Sequence, residues 1–419
     1  MKKIYIETYG CSSSRNDGEI MSGLLSNAGF QLVDDIDNAD VIIINTCIVK
    51  QPTESKIVSR IKALQGRKLI IAGCMPEAEY DIAKRAAPDA NLISTNRVHE
   101  IAKVVKKTIA GEKVELLGKL KKEKVCLPKL RKNSVVDVVE ICSGCNNTCS
   151  YCIVKLAKGS LFSYSPKSII KEISAGVADG CKEFWLTGQD VAAYCYDGKR
   201  LPSLLGEITK VRKDFFLRAG MMNPSNVLPM LDELIDSYRN EKLFKFIHLP
   251  VQSGSNRVLK TMNRKYTVAE YKIIVKKLRK AIPEITLWTD VIVGFPGESE
   301  SDFLKTLSLI KEIRPDFTNI SQFGVRPGTK SAAMKQLPTE IKKERSKKMT
   351  EAVGRICLER NERWLGWSGH ALVDEYNEGK NNWIARNYAY KPIAVKSGGF
   401  GKTINVTIAG AEKTCLIAR

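Results

Sequence analysis

Apolar residues near the start of the chain come in short runs, Ile4–Ile6, Val41–Ile44, Leu69–Ala72 and Leu92–Ile93, separated by longer polar stretches of helical character. Strands alternating with helices in this way predict a parallel α/β domain over residues 1–110. The segment from Lys119 to Lys132 is basic, holds Pro128 and has no clear apolar period, so 111–134 is expected to be a basic linker. The alternation then resumes with six strand-like runs, Val135–Ile141, Glu183–Leu186, Phe215–Arg218, Lys245–Leu249, Leu287–Val293 and Phe317–Phe323. Six β/α units across 135–356 predict a partial (β/α)6 barrel, whose chemistry belongs at the C-terminal ends of its strands. A long charged helix, Thr339 to about Arg363, leads into a last region, 357–419, with a different rhythm. Its runs at Ala371–Val373, Trp383–Ala385, Pro392–Val395, Thr403–Ile408 and Thr414–Ile417 are bounded by Gly, Asn and Lys, which predicts a small antiparallel β-barrel of OB type.

Composition narrows the class. Over 419 residues, 43% hydrophobic and 27% charged positions describe an ordinary globular chain. No apolar run approaches the roughly 18–20 residues of a membrane span, and Met1–Tyr9 lacks a signal-peptide core, so a cytoplasmic protein without a membrane partner is expected. The 67 Lys and Arg against 46 Asp and Glu leave +21, a field that favours polyanions and points to nucleic acid. Twelve cysteines in such a chain argue for metal or catalysis rather than a disulfide scaffold, and with three histidines an all-cysteine site fits better than a Cys/His zinc module.

Cys145, Cys149 and Cys152 stand in Cys-Asn-Asn-Thr-Cys-Ser-Tyr-Cys, directly after the first barrel strand. Iron–sulfur clusters are normally held by four cysteines, so three thiolates leave one iron open to a small molecule. The competing reading is a structural zinc site with Cys142 as fourth ligand, at a spacing unusual for zinc. A second trio, Cys11, Cys47 and Cys74, follows three successive strands of the first domain, where adjacent strand ends converge. Its competing reading is three buried core cysteines. Cys126, Cys181, Cys195, Cys357 and Cys415 show no such pattern. Gly188 and Gln189, Gln252 and Ser253, and Gly294 fall at barrel strand ends, and their recurrence there suggests a cofactor pocket. For Arg218, at the end of the third strand, a cofactor or substrate contact competes with a buried ion pair. In the last region Trp383, Tyr388, Tyr390 and Phe400 stand among Lys and Arg, a mix suited to stacking on RNA bases, with half of them expected to be core.

Thr8-Tyr-Gly-Cys11, Asn45-Thr-Cys47, Ala72-Gly-Cys74, Gly144-Cys-Asn-Asn-Thr-Cys-Ser-Tyr-Cys152, His248-Leu-Pro-Val-Gln-Ser-Gly-Ser-Asn256, Asp290-Val-Ile-Val-Gly-Phe-Pro-Gly-Glu298 and Val373-Asp-Glu375 together closely resemble the radical-SAM methylthiotransferase family, nearly end to end. The resemblance implies two 4Fe-4S clusters, a radical one on Cys145, Cys149 and Cys152 and an auxiliary one on Cys11, Cys47 and Cys74, with no catalytic residue beyond these ligands. It implies S-adenosyl-L-methionine (SAM) as radical source and methyl donor, and a C-terminal TRAM domain that binds RNA. Cys47-Ile-Val-Lys-Gln-Pro-Thr-Glu54 and Cys152-Ile-Val-Lys-Leu-Ala-Lys-Gly159 are most similar to the archaeal and eukaryotic branch, which modifies N6-threonylcarbamoyladenosine at position 37 of tRNA. Other branches imply isopentenyladenosine or a ribosomal-protein aspartate as substrate, and a reading of another class is a non-catalytic, metal-stapled RNA-binding protein. The expected partners are tRNA, an electron donor and a sulfur source, with the chain acting as a monomer. Lys158 stands where the family usually has Arg, which would make a bidentate contact to SAM or phosphate monodentate.

Overall fold

The structure is a computed structural model describing residues 1–419. In the first unit the strands Lys3–Thr8, Val41–Thr46, Leu69–Gly73 and Asn91–Ser94 lie side by side in a parallel sheet, extended by Gln31–Leu32 on one edge. Val41–Thr46 and Leu69–Gly73 are buried throughout, which is why they read as unbroken apolar runs instead of alternating ones. The other edge is Glu115–Leu116, paired with Leu92 and Ile93, so the sheet runs into the expected linker. Two residues are too few to show a period.

The rest of that segment is a packed strap rather than a tether. A Cβ added at Gly23 would lie 2.4 Å from the Pro128 backbone, so the strap rests directly on the helix Ser12–Asn27. Three of its basic residues are counter-ions to buried acids: Lys124 pairs with Asp17 (2.6 Å), Lys129 with Asp137 (3.2 Å) and Glu172, and Arg131 with Asp137 (2.9 Å). Charge in the sequence does not reveal that its partners are internal.

The six barrel strands are Val136–Glu140, Glu183–Thr187, Phe216–Ala219, Phe246–His248, Thr286–Val293 and Phe317–Gln322. The first three and the last three form parallel sheets in sequential order, joined by bridges from Leu217 to Leu243 and from Met221 to His248. The barrel is open between its first and sixth strands, and the first unit spans that opening. The helix Ser12–Asn27 lies on the first-strand side, where Ser13 donates to Glu140 (2.7 Å). The helix Gln51–Ala63 reaches the sixth-strand side, where Glu54 pairs with Arg326 and a Cβ at Gly324 would meet Gln51 at 2.5 Å.

The last five strands, Ser368–Asn377, Asn382–Arg386, Pro392–Val395, Thr403–Ala411 and Leu416–Ala418, close into a barrel. All pairings are antiparallel except Ile393 with Leu416, the parallel contact characteristic of closure here. This barrel stoppers the N-terminal end of the larger one. The Lys245 N–H donates to the Tyr388 carbonyl (2.8 Å), the Tyr390 ring packs on Phe244 and Phe246, and Lys391 pairs with Asp316 (2.8 Å). The long helix Thr339–Glu362 packs its Met349, Val353, Ile356 and Cys357 into the larger barrel's core, so it belongs to that barrel along most of its length.

Candidate functional site

The first trio of thiols sits where three adjacent strands end. Cys11 caps the helix Ser12–Asn27, Cys47 follows Thr46 directly, and Cys74 caps the turn Met75–Ala78. Gly10, at φ +108°, permits the close approach: a Cβ there would lie 2.6 Å from the Cys47 sulfur. The Cys74 turn is pinned by the Met75 N–H donating to Thr46 Oγ1 (3.1 Å). Burial pushes the Cys74 thiol up to about 12, Lys158 opposes that rise, and charge on Cys11 or Cys47 adds to it. Cys47 is raised by burial and then by Cys11. A buried Cys74 thiol whose ionisation is opposed by charge on its two neighbours belongs to a donor set that a cation would stabilise.

The second trio lies on the loop after the first barrel strand. Gly144, at φ +78°, lets the loop turn against Ser160, and its N–H donates to Gln189 Oε1 (2.5 Å). Asn147 Nδ2 donates to the Cys145 sulfur (3.3 Å) and to Asp190 (3.1 Å), while Arg264 Nη1 donates to the Cys149 sulfur (3.3 Å). Burial and then Cys149 push the Cys152 thiol up to about 11. Hydrogen bonds aimed at sulfur are what tune and hold an iron–sulfur cluster. Each donor set offers three thiols, and a 4Fe-4S cluster takes each thiolate on a separate iron, with the second trio already receiving hydrogen bonds at Cys145 and Cys149 sulfur. Cys142 is fully buried and turned to the Asp190 carbonyl, outside the trio.

The other residues singled out from the sequence divide. A Cβ at Gly188 would meet the Cys142 sulfur at 2.6 Å, and Gln189 anchors the cysteine loop. Gln252 holds φ +65° and buries an unpartnered Oε1, a group ready for a ligand. Ser253 is buried with its hydroxyl against Thr306 (3.3 Å) and the Ser255 N–H (3.2 Å), so it shapes its turn. Gly294 donates to Glu298 (2.8 Å) beneath Lys342. Arg218 stands inside the barrel, its guanidinium carbon 4.8 Å from the Trp185 ring centroid. Tyr388 and Tyr390 are packed inside, whereas Trp383 and Phe400 cluster with the exposed Tyr376 on the small barrel's surface.

Lys158 is placed differently from the expectation of a SAM or phosphate contact. Its ammonium is buried at the seam between the first unit and the barrel, 3.1 Å from Ser13 Oγ, 3.5 Å from Glu140 and 3.6 Å from Asp17. Lys124 of the strap completes the square at 2.6 Å from Asp17 and 3.3 Å from Glu140. Burial opposes the charges, but Lys124 and Lys158 hold the Glu140 carboxyl down at about 2. Asp17, Glu140, Asn147, Asp190 and Arg264 escaped the sequence reading. Asp190 adjoins Gly188 and Gln189 in the chain, but Arg264 lies in a loop after the helix Asn256–Thr261, with no local pattern to mark it.

The chain matches the model of the Radical SAM superfamily over residues 139–310 and that of the Uncharacterized protein family UPF0004 over residues 3–95. It is 41% identical to the probable threonylcarbamoyladenosine tRNA methylthiotransferase of Pyrococcus horikoshii, over 100% of this chain and 99% of that one. It is 35% identical to the threonylcarbamoyladenosine tRNA methylthiotransferase of Homo sapiens, over 99% of this chain and 73% of that one. Among solved structures, the radical SAM methyltransferase TsrM of Kitasatospora setae matches 79% of this chain and 75% of its own, with TM-score 0.58 and 12% identity, a likeness of fold alone.

Proposed function

The chain belongs to the family of threonylcarbamoyladenosine tRNA methylthiotransferases, and from that premise we propose that its six clustered cysteines serve one reaction, the 2-methylthiolation of N6-threonylcarbamoyladenosine at position 37 of tRNA. It is a radical-SAM enzyme that uses SAM and two 4Fe-4S clusters, and an electron donor must act with it. When bound, these groups supply a 5′-deoxyadenosyl radical, a transferable sulfur and a methyl group.

The observation that carries the assignment is the pair of cysteine trios, one on each side of a single buried seam. Cys145, Cys149 and Cys152 would hold the radical cluster, steadied by Asn147 and Arg264. Cys11, Cys47 and Cys74 would hold the auxiliary cluster. The Lys124, Lys158, Asp17 and Glu140 square locks the two carriers together, so their distance is fixed by buried charge. Gly188, Gln189, Gln252 and Gly294 would shape the SAM pocket, with Ser253 supporting its turn. In this division of labour residues 1–110, continued by the strand at 115–116, carry the auxiliary site, 111–134 strap the units, 135–356 form the radical barrel and 357–419 bind RNA.

No helix is long and apolar enough to cross a membrane, and a tRNA substrate supports a cytoplasmic site of action. A cleft at the seam lined by the exposed Lys119, Lys121 and Lys122 offers cationic groups to tRNA phosphates. The chain would act as a monomer, drawing on a separate sulfur source. Mass spectrometry of tRNA nucleosides from a deletion strain tests the reading. Loss of the 2-methylthio derivative with build-up of threonylcarbamoyladenosine is expected. Persistence of that derivative, or loss of methylthiolated isopentenyladenosine instead, would overturn it.

A further inference from the structure

Inside the larger barrel stands a cation without an anion. On the strand Glu183–Thr187, Phe184 and Leu186 point into the core under the helices, which turns Glu183 and Trp185 to the lumen. Arg218 is in register with Trp185 and faces the lumen as well. Its guanidinium carbon lies 4.8 Å from the centroid of Trp185, 5.2 Å from that of Phe246 and 5.3 Å from that of Tyr390. Three aromatic faces shelter the charge without neutralising it, and its Nε is buried with no hydrogen-bond partner.

The acids nearby have other partners. Asp374 pairs with Arg386 (3.0 Å), and Asp290 is hydrogen-bonded to His248 (2.7 Å). Burial pushes the Glu183 carboxyl up to about 8, so it is largely protonated at neutral pH. Arg15 covers the other reach of the same indole at 5.3 Å, with its own charge met by Glu19 (2.9 Å) and its Nη2 buried and unpartnered. A sheltered guanidinium with free donors, and a second donor beside it, is an anion site in want of its anion. The planar, two-oxygen match for a guanidinium is a carboxylate.

Resting on the function proposed above, we infer that Arg218 binds the carboxylate of the threonylcarbamoyl group and so distinguishes this substrate from adenosines whose N6 substituent is neutral. SAM also carries a carboxylate, but the Cys145–Cys152 loop lies beyond the strand ends at Glu140 and Thr187. Arg218 sits level with Trp185, two residues or about 7 Å deeper. A side arm projecting into the lumen from the base reaches that depth. The assignment gives Arg218 to the substrate rather than to the cofactor or to a buried ion pair.

The test uses the cluster-loaded protein, anaerobically, with anticodon stem-loops carrying at position 37 threonylcarbamoyladenosine, its carboxylate methyl ester, or plain adenosine. The native protein is expected to bind the acid about 10- to 100-fold more tightly than the ester, as loss of a charge-assisted hydrogen-bonded pair requires. Arg218→Gln is expected to bind acid and ester alike. Equal affinity of the native protein for acid and ester overturns the inference without any variant having to fold. An acid preference that survives Arg218→Gln, together with a raised KM for SAM, overturns it in favour of a SAM contact. If none of the stem-loops binds, the tRNA function itself fails and the inference with it.

Discussion

Lys158 of the radical barrel and Asp17 of the first helix meet 3.6 Å apart across the seam that separates the two cysteine trios. Because Lys124 and Glu140 close the same square, two positive and two negative charges are buried together and balance. A balanced square tolerates burial, and a triangle does not. Lys158→Met leaves two carboxylates on one ammonium and is expected to cost about 3–5 kcal/mol, measured by urea unfolding of the cluster-free protein. Lys158→Arg keeps the charge and is expected to cost far less.

The pH dependence of stability has two opposed parts. Glu140, held at about 2 against an ordinary 4.5, stabilises the fold above pH 4.5, and that contribution is lost as pH falls toward 2. Glu183, raised to about 8 chiefly by burial and then by Asp374, does the reverse. Its contribution is full below pH 4.5 and fades as pH rises through 8. Glu183→Gln is therefore expected to flatten the decline in melting temperature between pH 6 and pH 9, and an unchanged slope would count against a protonated Glu183.

Cluster loading should divide by trio. Cys149→Ala is expected to abolish formation of 5′-deoxyadenosine and to leave about four of about eight irons. Cys11→Ala is expected to leave a similar iron content while losing methylthiolated product. Iron analysis with paramagnetic resonance of the reduced proteins distinguishes the two. Loss of all iron in both variants would mean that the trios do not act as separate sites.

Arg264, buried and donating to the Cys149 sulfur at 3.3 Å, places a positive charge beside the radical cluster's ligand. Positive charge and hydrogen bonds to sulfur favour the reduced state. Arg264→Gln is expected to move the reduction potential of that cluster to more negative values, read by redox titration, while the auxiliary cluster stays where it was.

On the small barrel, Trp383 lies between Tyr376 (4.8 Å) and Phe400 (5.2 Å), and Phe400 is half exposed. Trp383→Ala is expected to weaken tRNA binding by about 1–3 kcal/mol if a base stacks there. The loss should persist at high salt, unlike losses from the strap lysines. Filter binding across a salt series separates the two.

What the sequence determined by itself was everything carried by local pattern. Six apolar runs became the six barrel strands because they recur between helical stretches as β/α units do, and the cysteines at strand ends were legible because a parallel sheet brings such ends together. Only the tertiary structure decided where long, flexible charges go. Lys124, Lys129 and Lys158 look like solvated or phosphate-binding lysines in the chain, and they are buried because Asp17, Asp137, Glu140 and Glu172 come to them from other units. Likewise Arg218 is left without a carboxylate bonded to it, and Arg264 is aimed at a sulfur, only because strands and loops far apart in sequence face one lumen. Backbone periodicity is a property of neighbours along the chain; charge pairing is a property of neighbours in space.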